Sequence, residues 1–205
     1  MPQTHFDKSA AEWDQKKRRV ELAKAIAENI ALLPLHDKMT ALEYGCGTGL
    51  VGLTLAPRLG SLTAMDTSKG MLDVLTEKIK IQGLTNITPL SLDLTVETCE
   101  EKFDLIFSAM TLHHIGETEL ILEKFYHLLN DHGYLAIADL DGEDGSFHSP
   151  GAGEKHYGFS RESLLGILLN CGFSSVNFRT VHTIQKPDSN GRNRDYPVFL
   201  LTAQK

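Results

Sequence analysis

The segment that decides the fold is Glu43-Tyr44-Gly45-Cys46-Gly47-Thr48-Gly49, in which three glycines alternate with other residues after a short apolar run. Glycine permits tight backbone turns and lets a ligand approach the main chain closely. The run Thr40–Tyr44 predicts a strand before the glycines, and Leu50–Leu59 predicts a helix after them. A strand, a glycine loop and a helix in this order are typical of ligand-binding α/β proteins.

Apolar runs and helical stripes alternate along the rest of the chain, which predicts a parallel sheet with helices on both faces. Two late runs are expected to pair as an antiparallel hairpin across the loop Pro187–Arg194. We therefore predict a three-layer, doubly wound, mostly parallel seven-stranded sheet. The further predicted strands are Leu62–Met65, Ile87–Leu92, Phe103–Ala109, Tyr134–Leu140, Val176–Val181 and Val198–Thr202, and the further helices are Ser68–Gln82, Thr118–Leu129 and Arg161–Asn170.

The N-terminal segment reads as helical. Ser9 to Glu12 fits a capping box, which predicts that a helix begins at Ser9. Apolar residues then recur at helical spacing until Pro34 ends the segment.

Composition limits the class of protein. The 205 residues suffice for one domain, and a hydrophobic fraction of 41% is ordinary for a globular chain. A net charge of -7 disfavours a nucleic-acid groove. No apolar run approaches the ~20 residues of a membrane span, and the first residues lack the layout of a signal peptide. Three scattered cysteines indicate reduced thiols and a cytoplasmic location.

Three acids end three successive predicted strands. Glu43 suits a cationic group such as an ammonium, Asp66 is placed to accept bonds from ribose hydroxyls, and Asp93 is placed to accept a bond from an exocyclic amine. A dinucleotide fingerprint would need a third glycine where Leu50 stands. The pattern therefore favours a ligand carrying ammonium, ribose and adenine over a nicotinamide dinucleotide.

Several segments together resemble class I S-adenosylmethionine-dependent methyltransferases of the small-molecule type, including the quinone-biosynthesis group. The resemblance implies the Rossmann-like methyltransferase fold and a single domain, with residues 1–36 as a helical lid and residues 37–205 as the core. The segments that carry it are Ala41–Gly49, Leu62–Leu72, Phe103–Ile115, Leu129–Asp139 and the opening His5–Asp14.

The same resemblance implies a cofactor site for S-adenosylmethionine, with S-adenosylhomocysteine as the product. Glu43 and the glycine loop would hold the methionine part, Asp66 the ribose and Asp93 the adenine, while Phe6 and Trp13 would cover the site. The implied cofactor-binding residues are Phe6, Trp13, Glu43, Gly45, Cys46, Gly47, Asp66, Thr67, Met71, Asp93, Leu94, Ser108 and Ala109.

Methyl transfer needs few side chains, and a general base matters only for a protonated acceptor. His148 and His156 are the candidate bases, because they lie in the long loop Asp141–Tyr157, which we interpret as a substrate lid. His113 and His114 are expected to pack or hydrogen-bond instead. Acids and histidines near this loop show no established ligand spacing, so no metal is expected.

The expected acceptor is a small molecule. The Asn/Asp-Pro-Pro-Tyr motif of nucleic-acid amino methylases is absent where Ser108-Ala109-Met110-Thr111 stands, and no substrate-recognition domain is added. Three other hypotheses stay open: a non-catalytic cofactor-binding module, a nicotinamide-dependent oxidoreductase, and an enzyme that methylates a protein side chain. Lys16 to Arg19 form a basic run that is expected to be solvated, although one member is placed to meet the cofactor carboxylate. The oligomeric state is not predicted.

Overall fold

The computed structural model describes residues 5–148, 153–188 and 191–205. Their centre is one seven-stranded sheet with the strand order β3-β2-β1-β4-β5-β7-β6. The first five strands are parallel to one another, and β7 runs antiparallel to both of its neighbours. The strands are β1 (Thr40–Tyr44), β2 (Ser61–Asp66), β3 (Ile87–Ser91), β4 (Phe103–Ala109), β5 (Leu129–Leu140), β6 (Ser174–Pro187) and β7 (Asn193–Gln204).

Helices cover both faces of the sheet, which confirms the predicted three layers. Alternate residues of β1 show the division, because Ala41 packs into one apolar cluster and Leu42 into the other. The cluster with Ala41 includes buried residues of α2, α3 and α4, and the cluster with Leu42 includes those of α5 and α6. The helices are α1 (His5–Ser9), α2 (Lys17–Ile30), α3 (Gly52–Leu55), α4 (Lys69–Gln82), α5 (Thr118–Leu128) and α6 (Arg161–Cys171).

The N-terminal segment departs from prediction, and the capping box at Ser9 is wrong. Ser9 Oγ donates to the carbonyls of His5 and Phe6, at 3.0 and 3.3 Å, so it belongs to α1 instead of starting a helix. A 3₁₀ helix, Ala10–Gln15, follows, and the chain leaves helical geometry at Lys16 before α2 begins. The predicted helix 50–59 is likewise shorter, with α3 followed by the 3₁₀ helix Ala56–Arg58.

Local capping chemistry placed other boundaries correctly. Ser68 caps α4 by accepting a hydrogen bond from the amide of Met71, and Gly83 ends the helix in the left-handed conformation with φ +66°. Gly172 ends α6 in the same way with φ +101°. Strand β4 has the predicted bounds, and its fully apolar centre is buried on both faces.

The C-terminal hairpin is confirmed but is longer than predicted. β6 and β7 pair from Ser174 with Gln204 to Pro187 with Asn193. The register shifts twice, between Ser174 and Asn177 and between Thr180 and His182. The predicted loop Pro187–Arg194 shrinks to residues 188–192, of which 189 and 190 lie outside the described residues. Within the described ranges, no helix has the length and apolar character needed to cross a membrane.

Candidate active site

A cavity of about 570 Å³ opens at the carboxyl ends of the parallel strands, where ligands of doubly wound sheets bind. The residues that line it come from the ends of β1, β2, β3 and β4, from the N-terminal helices, and from the segment after β5. All but one of the residues predicted to bind the cofactor line this cavity: Phe6, Trp13, Glu43, Gly45, Cys46, Gly47, Asp66, Thr67, Met71, Asp93, Leu94 and Ala109.

Ser108 is the exception. Its side chain is buried, and its hydroxyl donates to the Tyr44 carbonyl at 2.8 Å between β4 and β1. The neighbouring Ala109 lines the cavity, whereas Ser108 is not one of the described residues that line it. The Ser108 hydroxyl thus joins two strands, and the structure does not show Ser108 at the cavity floor where the sequence predicts it.

The glycine loop has the backbone conformation that only glycine adopts readily. Gly45, Gly47 and Gly49 have φ of +71°, +52° and +78°. A Cβ at Gly45 would lie 2.3 Å from side-chain atoms of Thr111, so the tight passage between β1 and the turn after β4 requires glycine. A Cβ at Gly47 would meet only the Met71 sulfur, at 4.0 Å, so this glycine leaves space in front of it.

Glu43 is a buried acid at the base of the cavity. Its Oε1 accepts a hydrogen bond from the amide of Gly52 at 3.2 Å. Its Oε2 is buried and has no hydrogen-bond partner in the described part of the chain. Burial raises the pKa of Glu43 to about 8, although the Gly52 hydrogen bond opposes the shift. A cation beside this carboxyl would offset the cost of its burial.

Asp66 organises the glycine loop as well as the cavity. Its Oδ2 accepts from the amide of Gly47 at 2.7 Å, and its Oδ1 accepts from the amide of Ser68 at 2.8 Å. Burial raises the pKa of Asp66, while these backbone hydrogen bonds favour the ionised form. Each carboxylate oxygen has a second lone pair, so Asp66 retains acceptor capacity toward a ligand.

Asp93 is half-buried beyond the end of β3. Its Oδ1 accepts from the amide and the hydroxyl of Thr95, at 2.9 and 2.6 Å. Leu92 and Leu94 line the cavity on either side of it. Together with Glu43 and Asp66, this acid completes the predicted row of carboxylates along three adjacent strands.

The N-terminal helices cover one side of the cavity through Phe6, Trp13 and Arg19. The guanidinium of Arg19 stacks on the Trp13 ring, with Cζ 3.3 Å from its centroid, and Nη1 donates to the Trp13 carbonyl. Arg19 lines the cavity, so one residue of the basic run Lys16 to Arg19 lies at the site. Leu22 and Ile26 of α2 also line the cavity. The apolar stripe in the sequence does not reveal whether such residues face a ligand site or only the core.

Two carboxylates of the N-terminal helical segment bind it to the core through hydrogen bonds and an ion pair. Asp7 Oδ1 accepts from the Ser68 hydroxyl at 2.7 Å and from the Gly70 amide at 2.9 Å, at the start of α4. Asp14 accepts from the Thr48 hydroxyl at 2.6 Å and forms an ion pair with Lys78. The covering segment is thereby held by the same loop and helix that form the cavity.

A histidine cluster lies at the ends of β4 and β5. His113 and His114 form a 3₁₀ turn after β4, and His148 reaches them from the segment after β5. Burial is the main reason that the pKa of His148 is lowered to about 4, and the charges of His113 and His114 lower it further. Burial also lowers the pKa of His114. Both imidazoles are therefore neutral at pH 7. Of these rings only His114 lines the cavity.

The candidate bases His148 and His156 are not among the described residues that line the cavity. His156 Nε2 lies 2.9 Å from the Ile115 carbonyl and 3.1 Å from the Thr118 hydroxyl, and its ring packs 5.2 Å from that of Phe159. The two ends of the predicted lid Asp141–Tyr157 meet, because the backbone amide of Glu143 donates to the Tyr157 carbonyl at 2.8 Å. Residues 149–152 of this loop lie outside the described residues, and its Lys155 lines the cavity.

The sheet order defines a doubly wound α/β protein, and the glycine loop and the three acids line one cavity at the carboxyl ends of its parallel strands. Residues 41–133 match the family model described as a methyltransferase domain. The match runs from β1 into β5 and covers a little under half of the chain.

Two relatives illustrate the match. An uncharacterized methyltransferase of Schizosaccharomyces pombe is 28% identical over 154 residues, which cover 67% of this chain and 54% of that protein. The (S)-coclaurine N-methyltransferase of Papaver somniferum is 30% identical over 128 residues, which cover 58% of this chain and 36% of that protein. The chain thus spans about half of the first relative and about a third of the second.

The fold is shared with solved structures. A SAM-dependent methyltransferase from Aquifex aeolicus superposes with a TM-score of 0.70 over 97% of both chains, at 22% identity. At this identity the likeness concerns the fold, and it agrees with the seven-stranded sheet and its C-terminal hairpin.

Proposed function

We propose that the protein transfers the methyl group of S-adenosylmethionine to a small-molecule acceptor. The observation that carries the proposal is that Glu43, Asp66 and Asp93, which end three adjacent strands, all line one cavity together with the glycine loop. Ammonium, ribose and adenine groups match these three acids in chain order.

The residues present fit this cofactor. Glu43 has a buried oxygen that lacks a partner among the described residues, and a cationic amine would supply one. Asp66 retains lone pairs for ribose hydroxyls, and Asp93, with Leu92 and Leu94 beside it, suits an adenine ring. Arg19 is one of the cationic side chains that line the cavity, and it would meet the methionine carboxylate.

S-adenosylmethionine supplies a methyl group on a sulfonium, which is already an activated donor. The chain's contribution is therefore alignment and exclusion of water. Gly47 lets the main chain approach the ligand, Phe6 and Trp13 cover it from the lid of residues 1–36, and Ala109 leaves space beside the end of β4. Residues 1–4 of the proposed lid lie outside the described residues.

A small acceptor is the finer part of the proposal. The covered side of the cavity, the charge of -7 and the relative named for (S)-coclaurine all favour it over a nucleic acid. Free Cys46, Cys99 and Cys171 support the proposed cytoplasmic location. We further propose that residues 1–205 act as a single domain and that His148 or His156 serves as base only if the acceptor carries a proton.

The first test measures thermal unfolding with S-adenosylhomocysteine, S-adenosylmethionine and NAD in separate samples. Saturation at about 100 times the dissociation constant adds ~2.7 kcal/mol of stability, which shifts the midpoint by several degrees. Shifts with the first two ligands alone would support the cofactor assignment. A shift with NAD alone would favour the oxidoreductase hypothesis, and binding without turnover of any acceptor would favour a non-catalytic module.

A further inference from the structure

Three histidines converge beside the cavity although the chain separates them. His113 and His114 follow β4, and His148 follows β5, so the adjacent carboxyl ends of two parallel strands bring them together. Ring centroids lie 4.2 Å apart for His113 and His114, 4.9 Å for His113 and His148, and 5.6 Å for His114 and His148. One ligand nitrogen from each ring lies within 4.8 Å of the other two.

Each of these rings has a nitrogen that is buried and lacks a hydrogen-bond partner in the part of the chain that the structure describes. The atoms are His113 Nε2, His114 Nδ1 and His148 Nε2. His113 as a whole is only 1% exposed. An unsatisfied buried polar atom is costly, and three of them clustered in one place call for a common partner.

Asp139 fixes which nitrogen of His113 is free. Its Oδ1 lies 2.6 Å from His113 Nδ1, and its Oδ2 accepts from the His113 amide at 3.2 Å. Because a carboxylate only accepts, Nδ1 carries the proton and Nε2 keeps its lone pair. A carboxylate behind a histidine is the arrangement that orients histidine ligands of metal ions.

We propose that His113 Nε2, His114 Nδ1 and His148 Nε2 bind a divalent transition metal ion, with Asp139 orienting His113. Imidazole suits Zn²⁺, and three histidines leave one position of a tetrahedral site for water or another ligand. Zn–N distances of about 2.0–2.1 Å place tetrahedral ligand nitrogens ~3.3 Å apart. The ligand nitrogens lie within 4.8 Å of one another, so they would approach by up to about 1.5 Å when the ion binds.

The ion would have two consequences for the site. It would tie the segment after β5 to the turn after β4, a junction already formed by the Lys155 and His156 amides, which donate to the His113 carbonyl at 2.8 and 3.1 Å. It would also lie at the cavity wall, because His114 lines the cavity and its ring lies 5.3 Å from that of Phe6. The proposal departs from the expectation of no metal, which rested on the spacing of acids and histidines along the chain.

The test uses the full chain, stripped of metal by dialysis against a chelator and then titrated with Zn²⁺ in competition with a chromogenic chelator. We expect about one Zn²⁺ per chain, and substitution by Co²⁺ should give the strong visible absorption of a tetrahedral site with nitrogen ligands. Asp139→Asn is expected to weaken Zn²⁺ binding ~10–100-fold, and His148→Ala by more, because it removes a ligand.

His127→Ala is the matched control, because this exposed histidine of α5 lies apart from the cluster and alanine suits a helix. It should bind Zn²⁺ as the parent does. Failure of the folded parent to bind about one equivalent would overturn the inference, as would equal Zn²⁺ affinity in folded His148→Ala. Binding of S-adenosylhomocysteine to the same samples separates this outcome from failure of the proposed function, since the metal site needs no cofactor.

Discussion

Two sides of the cavity satisfy their polar groups differently. On the glycine-loop side, formed by residues 43–49, 66–71 and 93–95, the acids accept hydrogen bonds from backbone amides. On the histidine side, His114 lines the cavity, and His113, Asp139, His148 and His156 adjoin it. Three ring nitrogens on this side have no partner among the residues described. The first side leaves one buried oxygen, Glu43 Oε2, without a partner in the described part of the chain, whereas the second side leaves three ring nitrogens without one.

The difference follows from how each side is assembled. Parallel pairing of β1 and β2 sets Tyr44 opposite Met65, so Asp66 ends β2 beside the start of the glycine loop and reaches the Gly47 amide. The histidine side depends instead on how the loop Asp141–Tyr157 folds back over the end of β4. A contiguous motif therefore forms a ligand site together with the strand it follows, while the histidine side requires the tertiary path of a long loop.

The largest effect is expected at Gly45, where the loop passes closest to another element. Gly45→Ala places a Cβ 2.3 Å from the Thr111 side chain at a φ of +71°, so strain and overlap add. We expect the free energy of unfolding to fall by ~2–4 kcal/mol and S-adenosylhomocysteine binding to weaken with it. Urea unfolding and calorimetric titration measure the two effects.

Gly83→Ala is the control for Gly45→Ala. Gly83 has a similar φ of +66°, but nothing lies within 4 Å of its added Cβ. It should cost only the ~1 kcal/mol of the left-handed conformation and leave ligand affinity unchanged. Equal losses in the two variants would show that the close approach to Thr111 is unimportant.

The next effect concerns Asp66. Asp66→Ala removes the acceptor of the Gly47 and Ser68 amides and of the proposed ribose bond, so S-adenosylhomocysteine affinity should fall by ~1–3 kcal/mol. Asp73→Ala, on the exposed face of α4 where Asp73 pairs with Lys69, should change it by less than ~0.5 kcal/mol. Unchanged affinity in Asp66→Ala, measured by titration, would remove this acid from the site.

Sequence reasoning predicted one side of the cavity well for a physical reason. The glycine loop, Asp66 and Asp93 are tied to strand ends, and strand ends follow from short apolar runs such as Phe103–Ala109, which the structure reproduces. For Ser108, the sequence does not reveal that the hydroxyl bonds the Tyr44 carbonyl between two strands.

The histidine side was not predictable in the same way. His148 meets His113 only after α5 and β5 have intervened and the following loop has turned back. The spacing of these histidines along the chain does not indicate that their side chains come together in the fold. At the N-terminus, the Ser9 to Glu12 pattern misled because Ser9 Oγ bonds backward to α1, a local competition that a capping pattern does not reveal.

A smaller effect is expected in the pH dependence of binding, through Glu43. The pKa of this carboxyl is raised to about 8 by burial, so it is mostly protonated at pH 7 without ligand. A ligand ammonium favours the ionised form, so binding at pH 7 should release a proton. Affinity should rise by up to ~1.4 kcal/mol per pH unit as pH increases toward 8, and then level off.

Calorimetry in two buffers of different ionisation enthalpy at pH 7 counts the released proton. Glu43→Gln keeps the shape of the side chain and should release none from this position. Equal proton release by the parent and Glu43→Gln would mean that Glu43 does not change its protonation on binding, and the ammonium would then lie elsewhere on the glycine-loop side.

The smallest effect is expected at His156, which tests the histidine side. His156 Nε2 bonds the Ile115 carbonyl, so His156→Ala should lower stability by ~0.5–1.5 kcal/mol and increase protease cleavage in residues 141–157. S-adenosylhomocysteine affinity should stay within about twofold of the parent, and His127→Ala should change neither property. If instead methyl transfer to an identified acceptor were lost while stability held, His156 would act as a base, and the histidine side would contribute to the chemistry directly instead of holding the loop.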